Sequence, residues 1–164
     1  MEENENGNWC GGVDNLTLAV DYKGDIYPCI RYMESSLNGI QKPLKIGSVN
    51  YGLLNTNEEK ENNQLISNIT RRSQSTDECF YCPIASGCSW CSAYNYEEFG
   101  TPNKRATHIC CMHKAASLAN VYYWNTLYKY LNINKTFKMY LPKEEALKII
   151  DEEEYNYLLK LSEE

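Results

Sequence analysis

The sequence predicts an α+β protein, in which a small β-hairpin or three-strand element and cysteine-rich loops are followed by C-terminal α-helices. Three features lead to this prediction: an alternating segment with a glycine turn at residues 15–30, four cysteines at residues 79–91, and helical periodicity after residue 107. With 164 residues and 43% apolar composition, the chain can bury the core of one domain. We expect this domain to span residues 1–131, with a helical extension at residues 132–164.

The first predicted element is a β-hairpin over residues 15–30. Its first strand alternates apolar and less apolar residues, and the apolar set is Leu16, Leu18 and Val20. Gly24 lies in the turn and is expected to supply the positive φ angle that such turns often require. The return strand ends at Cys29, and the loop that carries Cys10 can fold back towards it.

Further elements are predicted before the cysteine-rich segment. Residues 31–42 have mixed polarity and contain a glycine, so we expect a connecting loop there. Residues 44–49 alternate apolar with polar side chains and are predicted to form a third strand. A helix is expected over residues 57–72, because Thr56 or Asn57 can cap it and acidic residues follow in its first turn.

Two helices are predicted after the cysteine-rich segment, at residues 107–131 and 143–161, with irregular structure at residues 94–103. Pro142 suits the beginning of the second helix, since proline is well tolerated at helix N-termini. The first helix is rich in aromatic residues, which are expected to form a buried face. These are Tyr122, Tyr123, Trp124, Tyr128 and Tyr130.

Composition excludes several function classes. A net charge of -6 and a pI near 5.0 argue against a general binder of nucleic acid or of an anionic membrane. The acidic first residues lack the features of a secretory signal, and no run of 18 apolar residues is present. A soluble, cytoplasmic protein is therefore expected, in which cysteines stay reduced and are more readily metal ligands than disulfides. A nucleophile elbow and a phosphate-binding glycine loop are both absent from the sequence.

The cysteines carry the main functional signal. Residues 79–91 read C-F-Y-C-P-I-A-S-G-C-S-W-C, so four thiols fall within thirteen residues as two C-x2-C pairs. The remaining cysteines lie far away in sequence, at Cys10, Cys29, Cys110 and Cys111. Eight thiols would suffice for two centres with four ligands each.

The spacing favours an iron–sulfur centre over zinc. The two C-x2-C pairs of a zinc ribbon are usually about 15–20 residues apart, whereas five residues separate them here. The separated irons of a cluster also suit ligands that arrive from distant segments. Zinc remains the alternative centre. His108 and His113 flank the last cysteines and could also bind a metal, although surface or helix-capping roles are expected for them.

The complete pattern resembles the SPASM domain, the C-terminal part of many radical S-adenosylmethionine enzymes that modify peptides and proteins. That family has C-x(9–15)-G-x4-C, then C-x2-C-x5-C-x3-C, then a last cysteine. In this chain the corresponding residues are Cys10, Gly24, Cys29, Cys79, Cys82, Cys88, Cys91, and either Cys110 or Cys111. One departure is that two residues, rather than three, separate Cys88 from Cys91.

The resemblance implies two auxiliary [4Fe–4S] clusters with interleaved ligands. Carried over onto this sequence, the ligands of the first cluster would be Cys10, Cys29 and Cys91. Those of the second would be Cys79, Cys82, Cys88, and Cys110 or Cys111, one of the last two being spare. The fourth position of the first cluster is not assigned by this carry-over: it could be open to a substrate thiolate, taken by the spare member of Cys110 and Cys111, or filled by an upstream segment.

The resemblance also implies partners. The chain lacks the C-x3-C-x2-C motif that holds the S-adenosylmethionine-binding cluster, and it is too short for the surrounding barrel. It is therefore expected to be non-catalytic by itself and to work with a radical S-adenosylmethionine core domain or subunit and a substrate peptide. S-adenosylmethionine would bind only that core, and the auxiliary clusters would transfer electrons or bind substrate. The alternative function is a zinc-stabilised interaction module without redox activity.

Overall fold

The computed structural model describes residues 10, 12–13, 16–85, 88 and 91–163, and it confirms the predicted α+β class. The strands of the described part are β1 (Ala19–Val20), β2 (Asp25–Tyr27), β3 (Gly47–Ser48) and β4 (Gly52–Leu53). Its α-helices are α1 (Glu34–Leu37), α2 (Asn57–Ser67), α3 (Arg71–Gln74), α4 (Asp77–Phe80), α5 (Ser92–Phe99), α6 (Cys110–Tyr130), α7 (Lys143–Ala146) and α8 (Glu152–Glu163). None of these helices is long and apolar enough to cross a lipid bilayer.

The sheet is antiparallel, with strands in the order β1-β2-β3-β4. The predicted hairpin pairs Ala19 with Tyr27, and Gly24 in its turn has a φ angle of 82°, as expected. Residue 15, at the beginning of that predicted hairpin, lies outside the described residues. A fourth strand that was not predicted follows a tight turn after β3, where Gly47 pairs with Leu53.

The face of the hairpin that the hydrophobic alternation predicts to be buried is exposed, and the other face is buried. Leu16, Leu18 and Val20 are exposed, whereas Ala19 is buried and lies opposite the buried Tyr27. Alternation identifies a strand because successive side chains point to opposite faces, but other elements decide which face is covered.

Two predicted helices are each divided by a capping residue. The helix predicted for residues 57–72 ends at Ser67, and Thr70 then caps α3 by accepting a hydrogen bond from the Ser73 N–H. In the predicted helix at 143–161, the Asp151 carboxylate accepts a hydrogen bond of 2.8 Å from the Glu154 N–H and begins α8 anew. Side chains that satisfy the free N–H groups at a helix start allow the chain to change direction there.

Several segments predicted to be irregular are helical. The expected loop at residues 31–42 contains α1, and the expected irregular segment at 94–103 is largely α5, which ends at Gly100 with a φ angle of 69°. The helix expected at 107–131 agrees closely with α6. Its aromatic residues do not form the buried face that was expected, since Leu118, Val121 and Asn125 are buried there instead.

The described part of the chain forms two compact units. The first comprises the described residues of Met1–Phe80 and Trp90–Ala106, and the second those of Tyr81–Ser89 and Thr107–Glu164. In the second unit α6 packs on α8, so the C-terminal helices share a core with α6. Each unit has its own hydrophobic cluster.

Candidate metal centres

All eight cysteines are described, and no disulfide joins any of them. Seven are half-buried and Cys111 is exposed. The first compact unit contains Cys10, Cys29, Cys79 and Cys91, and the second contains Cys82, Cys88, Cys110 and Cys111. Cys10, Cys29 and Cys91 adjoin the hydrophobic cluster of the first unit and are called the first set. Cys82, Cys88, Cys110 and Cys111 belong to the second unit and are called the second set, and of these Cys82 adjoins the hydrophobic cluster.

The first set brings together cysteines from three distant segments. Cys10, Cys29 and Cys91 all pack against the hydrophobic cluster of the first unit. Cys29 directly precedes a short 3-10 helix, and Cys91 directly precedes α5. The backbone of Gly12 lies close to Cys29, because a Cβ at Gly12 would lie 3.4 Å from the Cys29 Cβ and 3.6 Å from its Sγ. These are ordinary van der Waals distances, so Gly12 is a near neighbour of Cys29 without a steric need for glycine.

The electrostatics of Cys29 show that these thiols influence one another. Burial raises the pKa of the Cys29 thiol above its ordinary value of 9.0, and the neighbouring Cys91 and Cys10 raise it further. Backbone hydrogen bonds from Arg31 and Tyr32 act in the opposite direction, since they stabilise the thiolate. A thiolate here would gain most from a positively charged metal centre, which favours the deprotonated ligand.

A buried hydroxyl pair adjoins the same set. The Tyr32 O–H donates a hydrogen bond of 2.8 Å to Ser92 Oγ, which lies 3.6 Å from Cys10 Sγ. Both Tyr32 and Ser92 are 0% exposed. Burial raises the pKa of Tyr32 well above its ordinary value, and the three nearby thiols act in the same direction. Tyr32 therefore stays protonated and remains a hydrogen-bond donor.

Two cysteines of the second set, Cys82 and Cys110, interact electrostatically with Lys114. Cys82 packs against the hydrophobic cluster of the second unit, and Cys110 begins α6 one turn before Lys114. The pKa of Lys114 is raised chiefly by its hydrogen bond to the Glu145 carboxylate, and Cys82 and Cys110 raise it further. Both thiols are thus close enough to the ammonium group to interact with it electrostatically.

Local turns hold the other two cysteines of the 79–91 segment. Cys88 donates its N–H to the Ala85 carbonyl at 3.3 Å. Cys79 lies in α4, and the carbonyl of the next residue, Phe80, accepts a hydrogen bond of 2.6 Å from the fully buried Arg71. The Arg71 guanidinium also stacks on the Phe80 ring at 4.8 Å. Arg71 therefore anchors the backbone that follows Cys79.

The two adjacent cysteines of α6 differ in exposure. Cys110 is half-buried, whereas Cys111 is exposed and its Sγ lies 3.9 Å from the His108 carbonyl. His108 is exposed, as expected. His113 departs from the expected surface role, because its Nε2 atom is buried and has no hydrogen-bond partner among the described residues.

Within the described residues, no group of three or more His, Cys, Asp or Glu side chains has an arrangement that could hold a metal ion. The two sets are therefore neighbourhoods of thiols and not formed coordination sites. Metal binding and the final arrangement of the ligands are coupled. The cysteines can therefore be compared with the needs of a metal centre by the type of their donor atoms. The fit to an iron–sulfur cluster is thus limited to the type of donor atom, because such clusters are held by cysteine thiolates.

Sequence reasoning did not identify Tyr32, Ser92, Arg71 or Lys114 as functional candidates. Ser92 directly follows Cys91 in sequence, and this is the one local signal that could have drawn attention to it. Tyr32 and Lys114 also lie within four residues of a cysteine in the sequence. The contact of Arg71 with Phe80, in contrast, depends on packing between separate helices. Comparison of the chain with protein-family models, with curated proteins and with solved structures found no match.

Proposed function

We propose that the chain is an auxiliary iron–sulfur module that works with a radical S-adenosylmethionine enzyme on a peptide substrate. The observation that carries the proposal is the distribution of the cysteines. Cys91 follows Cys29 by more than 60 residues in the sequence, and Cys10 lies in a third segment. All three nevertheless adjoin one hydrophobic cluster. They are the three residues that the SPASM resemblance assigns to a first cluster.

The second cluster is proposed from the remaining thiols. Cys82 and Cys110 belong to the same compact unit and both raise the pKa of Lys114, so they share one charged neighbour. Cys79 and Cys88 are assigned to this centre by the SPASM resemblance alone. Half-burial favours Cys110 over the exposed Cys111 as the last ligand, since thiolate ligands of a cluster are best shielded from solvent.

The bound clusters would supply one-electron transfer, and the role of this chain would be to hold and insulate them. The apolar residues around the first set exclude water from one side of it. A low local polarity and a small number of directed hydrogen bonds are the means by which a protein sets a cluster's reduction potential. The radical S-adenosylmethionine core and the substrate peptide would be separate partners, and S-adenosylmethionine would bind the core.

The first test is metal analysis of the chain purified and reconstituted without oxygen. Two four-iron clusters correspond to roughly eight iron and eight sulfide per chain. A brown protein with this content is expected. A colourless protein with stoichiometric zinc and no sulfide would refute the proposal and support the zinc-stabilised interaction module.

Single substitutions test the separation into two sets. Cys29→Ala and Cys82→Ala should each remove about half of the iron, because each belongs to a different proposed centre. Cys111→Ala is the matched control, since it removes an exposed thiol beside Cys110 and should retain all the iron. Loss of all iron from both Cys29→Ala and Cys82→Ala would contradict two separate clusters and indicate one shared centre.

A further inference from the structure

The second unit carries an apolar groove between α6 and α8, with a volume of about 370 Å³. From α6 it receives Ala115, Ala119 and Tyr122, which are spaced three or four residues apart and therefore share one face of the helix. From α8 it receives Glu154 and Tyr157, and the remaining described lining residues are apolar. Small-molecule pockets span roughly 300 to 1,000 Å³, so the groove has the size of a site for a small ligand.

Two tyrosine rings, one from each helix, lie beside one another in this groove. The centroids of Tyr122 and Tyr157 are 6.4 Å apart and the rings are tilted by 44°. Both side chains are about half-exposed, so the core does not cover them fully. The face of a tyrosine ring attracts a cation that lies within about 6 Å of its centroid. At this separation one cation can lie within that distance of both rings.

The charge of the groove has the sign that complements a cation. Among the described residues that line it, Glu154 alone is charged. Its Oε2 atom accepts a hydrogen bond of 3.3 Å from the Asp151 N–H, which leaves the negative charge in place. Within the described part of the chain no lysine or arginine forms an ion pair with Glu154, and Lys114 and Lys148 pair with Glu145 instead. A ligand can therefore supply the positive charge that the chain does not.

We propose that this groove binds a small quaternary ammonium compound that carries an apolar substituent. The rings of Tyr122 and Tyr157 and the carboxylate of Glu154 receive the cationic head, and the substituent lies against the apolar lining. A primary ammonium is held strongly by water and loses that hydration against apolar walls, whereas an alkylated ammonium suits both the rings and the walls. The groove is separate from the proposed function, because no cysteine is among the described residues that line it.

The experiment titrates the full chain with three probes that share a hexyl chain and differ in the head group. They are hexyltrimethylammonium, hexylammonium and hexanol, and binding is followed by NMR shifts of backbone amides in α6 and α8. Hexyltrimethylammonium should bind at least about threefold more tightly than hexanol, because only the former gains the interaction with the rings and the carboxylate. It should also bind more tightly than hexylammonium, whose head loses more hydration.

Matched variants locate the cation. Glu154→Gln removes the charge while its amide oxygen can still accept from Asp151, and it should weaken hexyltrimethylammonium binding about fivefold and leave hexanol binding unchanged. Glu153→Gln is the control, since it makes the same change in net charge at an exposed neighbour outside the lining, and it should change neither affinity. Tyr157→Leu keeps an apolar contact and removes one ring, so about threefold weaker binding of hexyltrimethylammonium is expected.

Each result has a defined meaning. Equal affinity for hexyltrimethylammonium and hexanol, or equal affinity of Glu154→Gln and Glu153→Gln for the former, overturns the recognition of a cation. Absence of saturable binding overturns the site, as does self-association in sedimentation velocity that shifts the same amides, because a second copy then occupies the groove. If circular dichroism shows that Glu154→Gln is unfolded, Tyr157→Leu decides, with the exposed Tyr130→Leu as its control. None of these measurements involves iron, so failure here leaves the proposed function unaffected.

Discussion

Substitution of Glu59 should reveal a buried carboxylate that stabilises the first unit. Glu59 is 2% exposed and lies at the third position of α2. Its carboxylate accepts hydrogen bonds from the Tyr51 hydroxyl at 2.7 Å and from the backbone N–H groups of Asn55 and Thr56 at 2.9 and 3.1 Å. One side chain therefore joins the end of the sheet to the beginning of α2.

The size of the effect follows from which donors lose their partner. In Glu59→Ala the half-exposed Tyr51 hydroxyl can bond to water, whereas the two backbone N–H groups lose an acceptor. At roughly 1 to 1.5 kcal/mol for each lost hydrogen bond, the expected loss of unfolding free energy is about 2 to 3 kcal/mol. In Glu59→Gln the amide oxygen can still accept from the backbone and the amide nitrogen can donate to Tyr51, so about 1 kcal/mol or less should be lost.

The pH dependence distinguishes a charged acceptor from a neutral one. The hydrogen bonds from Tyr51, Thr56 and Asn55 outweigh the effect of burial and hold the pKa of Glu59 below its ordinary value of 4.5. The unfolded chain therefore binds a proton at higher pH than the folded chain. The stability that the charge provides is complete above about pH 4.5 and decreases as the pH falls through the lower folded pKa.

Urea unfolding followed by circular dichroism, between pH 7 and pH 3.5, measures this dependence. The difference in unfolding free energy between the unsubstituted chain and Glu59→Gln should diminish below about pH 4.5. Glu58→Gln is the control, because Glu58 is exposed and pairs with Lys42 at the surface. A difference between the unsubstituted chain and Glu59→Gln that stays constant over the whole pH range, or an Ala variant no less stable than the Gln variant, would refute the reasoning.

Three further predictions concern other parts of the chain. Asn125→Ala should cost about 2 kcal/mol and remove amide-exchange protection at Phe137, because the Asn125 amide donates to and accepts from that backbone. Protection retained at Phe137 would argue against this role. Gly47→Ala should cost about 2 kcal/mol or more in thermal unfolding, since a Cβ there would lie 2.5 Å from the Gly52 carbonyl oxygen. Unchanged stability would contradict this clash. Finally, lysine hydrogen bonds lower the pKa of Glu145 to about 2, so carbon-13 NMR should show its carboxylate ionised at pH 3.5, and half-protonation at that pH would disagree.

The sequence by itself determined the features that depend on local interactions. The α+β class, the hairpin with its glycine turn and the extent of α6 all follow from periodicity and turn chemistry within short segments. The number, spacing and chemical type of the thiols are likewise properties of the sequence. Together they suggested an iron–sulfur centre, which stays a prediction, as does the expected cytoplasmic location.

Tertiary structure decided which faces are covered and which distant residues are neighbours. Leu18 alternates correctly for a strand, but the packing of the hairpin buries Ala19 instead. Capping by Thr70 and Asp151 divides helices whose periodicity continues across the break. The covered face depends on groups that are far away in sequence. The two caps are contacts over only three residues, and hydrophobic periodicity does not register them because it follows apolar side chains.

The surroundings of the candidate centres show the same division. The sequence presents Cys10, Cys29 and Cys91 as three separate thiols, and folding brings them to one hydrophobic cluster. Tyr32 and Ser92 are 60 residues apart, and only the packing of α5 against the segment after Cys29 joins their hydroxyls. The sequence thus determined which donor atoms exist, whereas tertiary packing determined which of them share a buried environment, because hydrogen bonds and apolar contacts between distant segments form only in the folded chain.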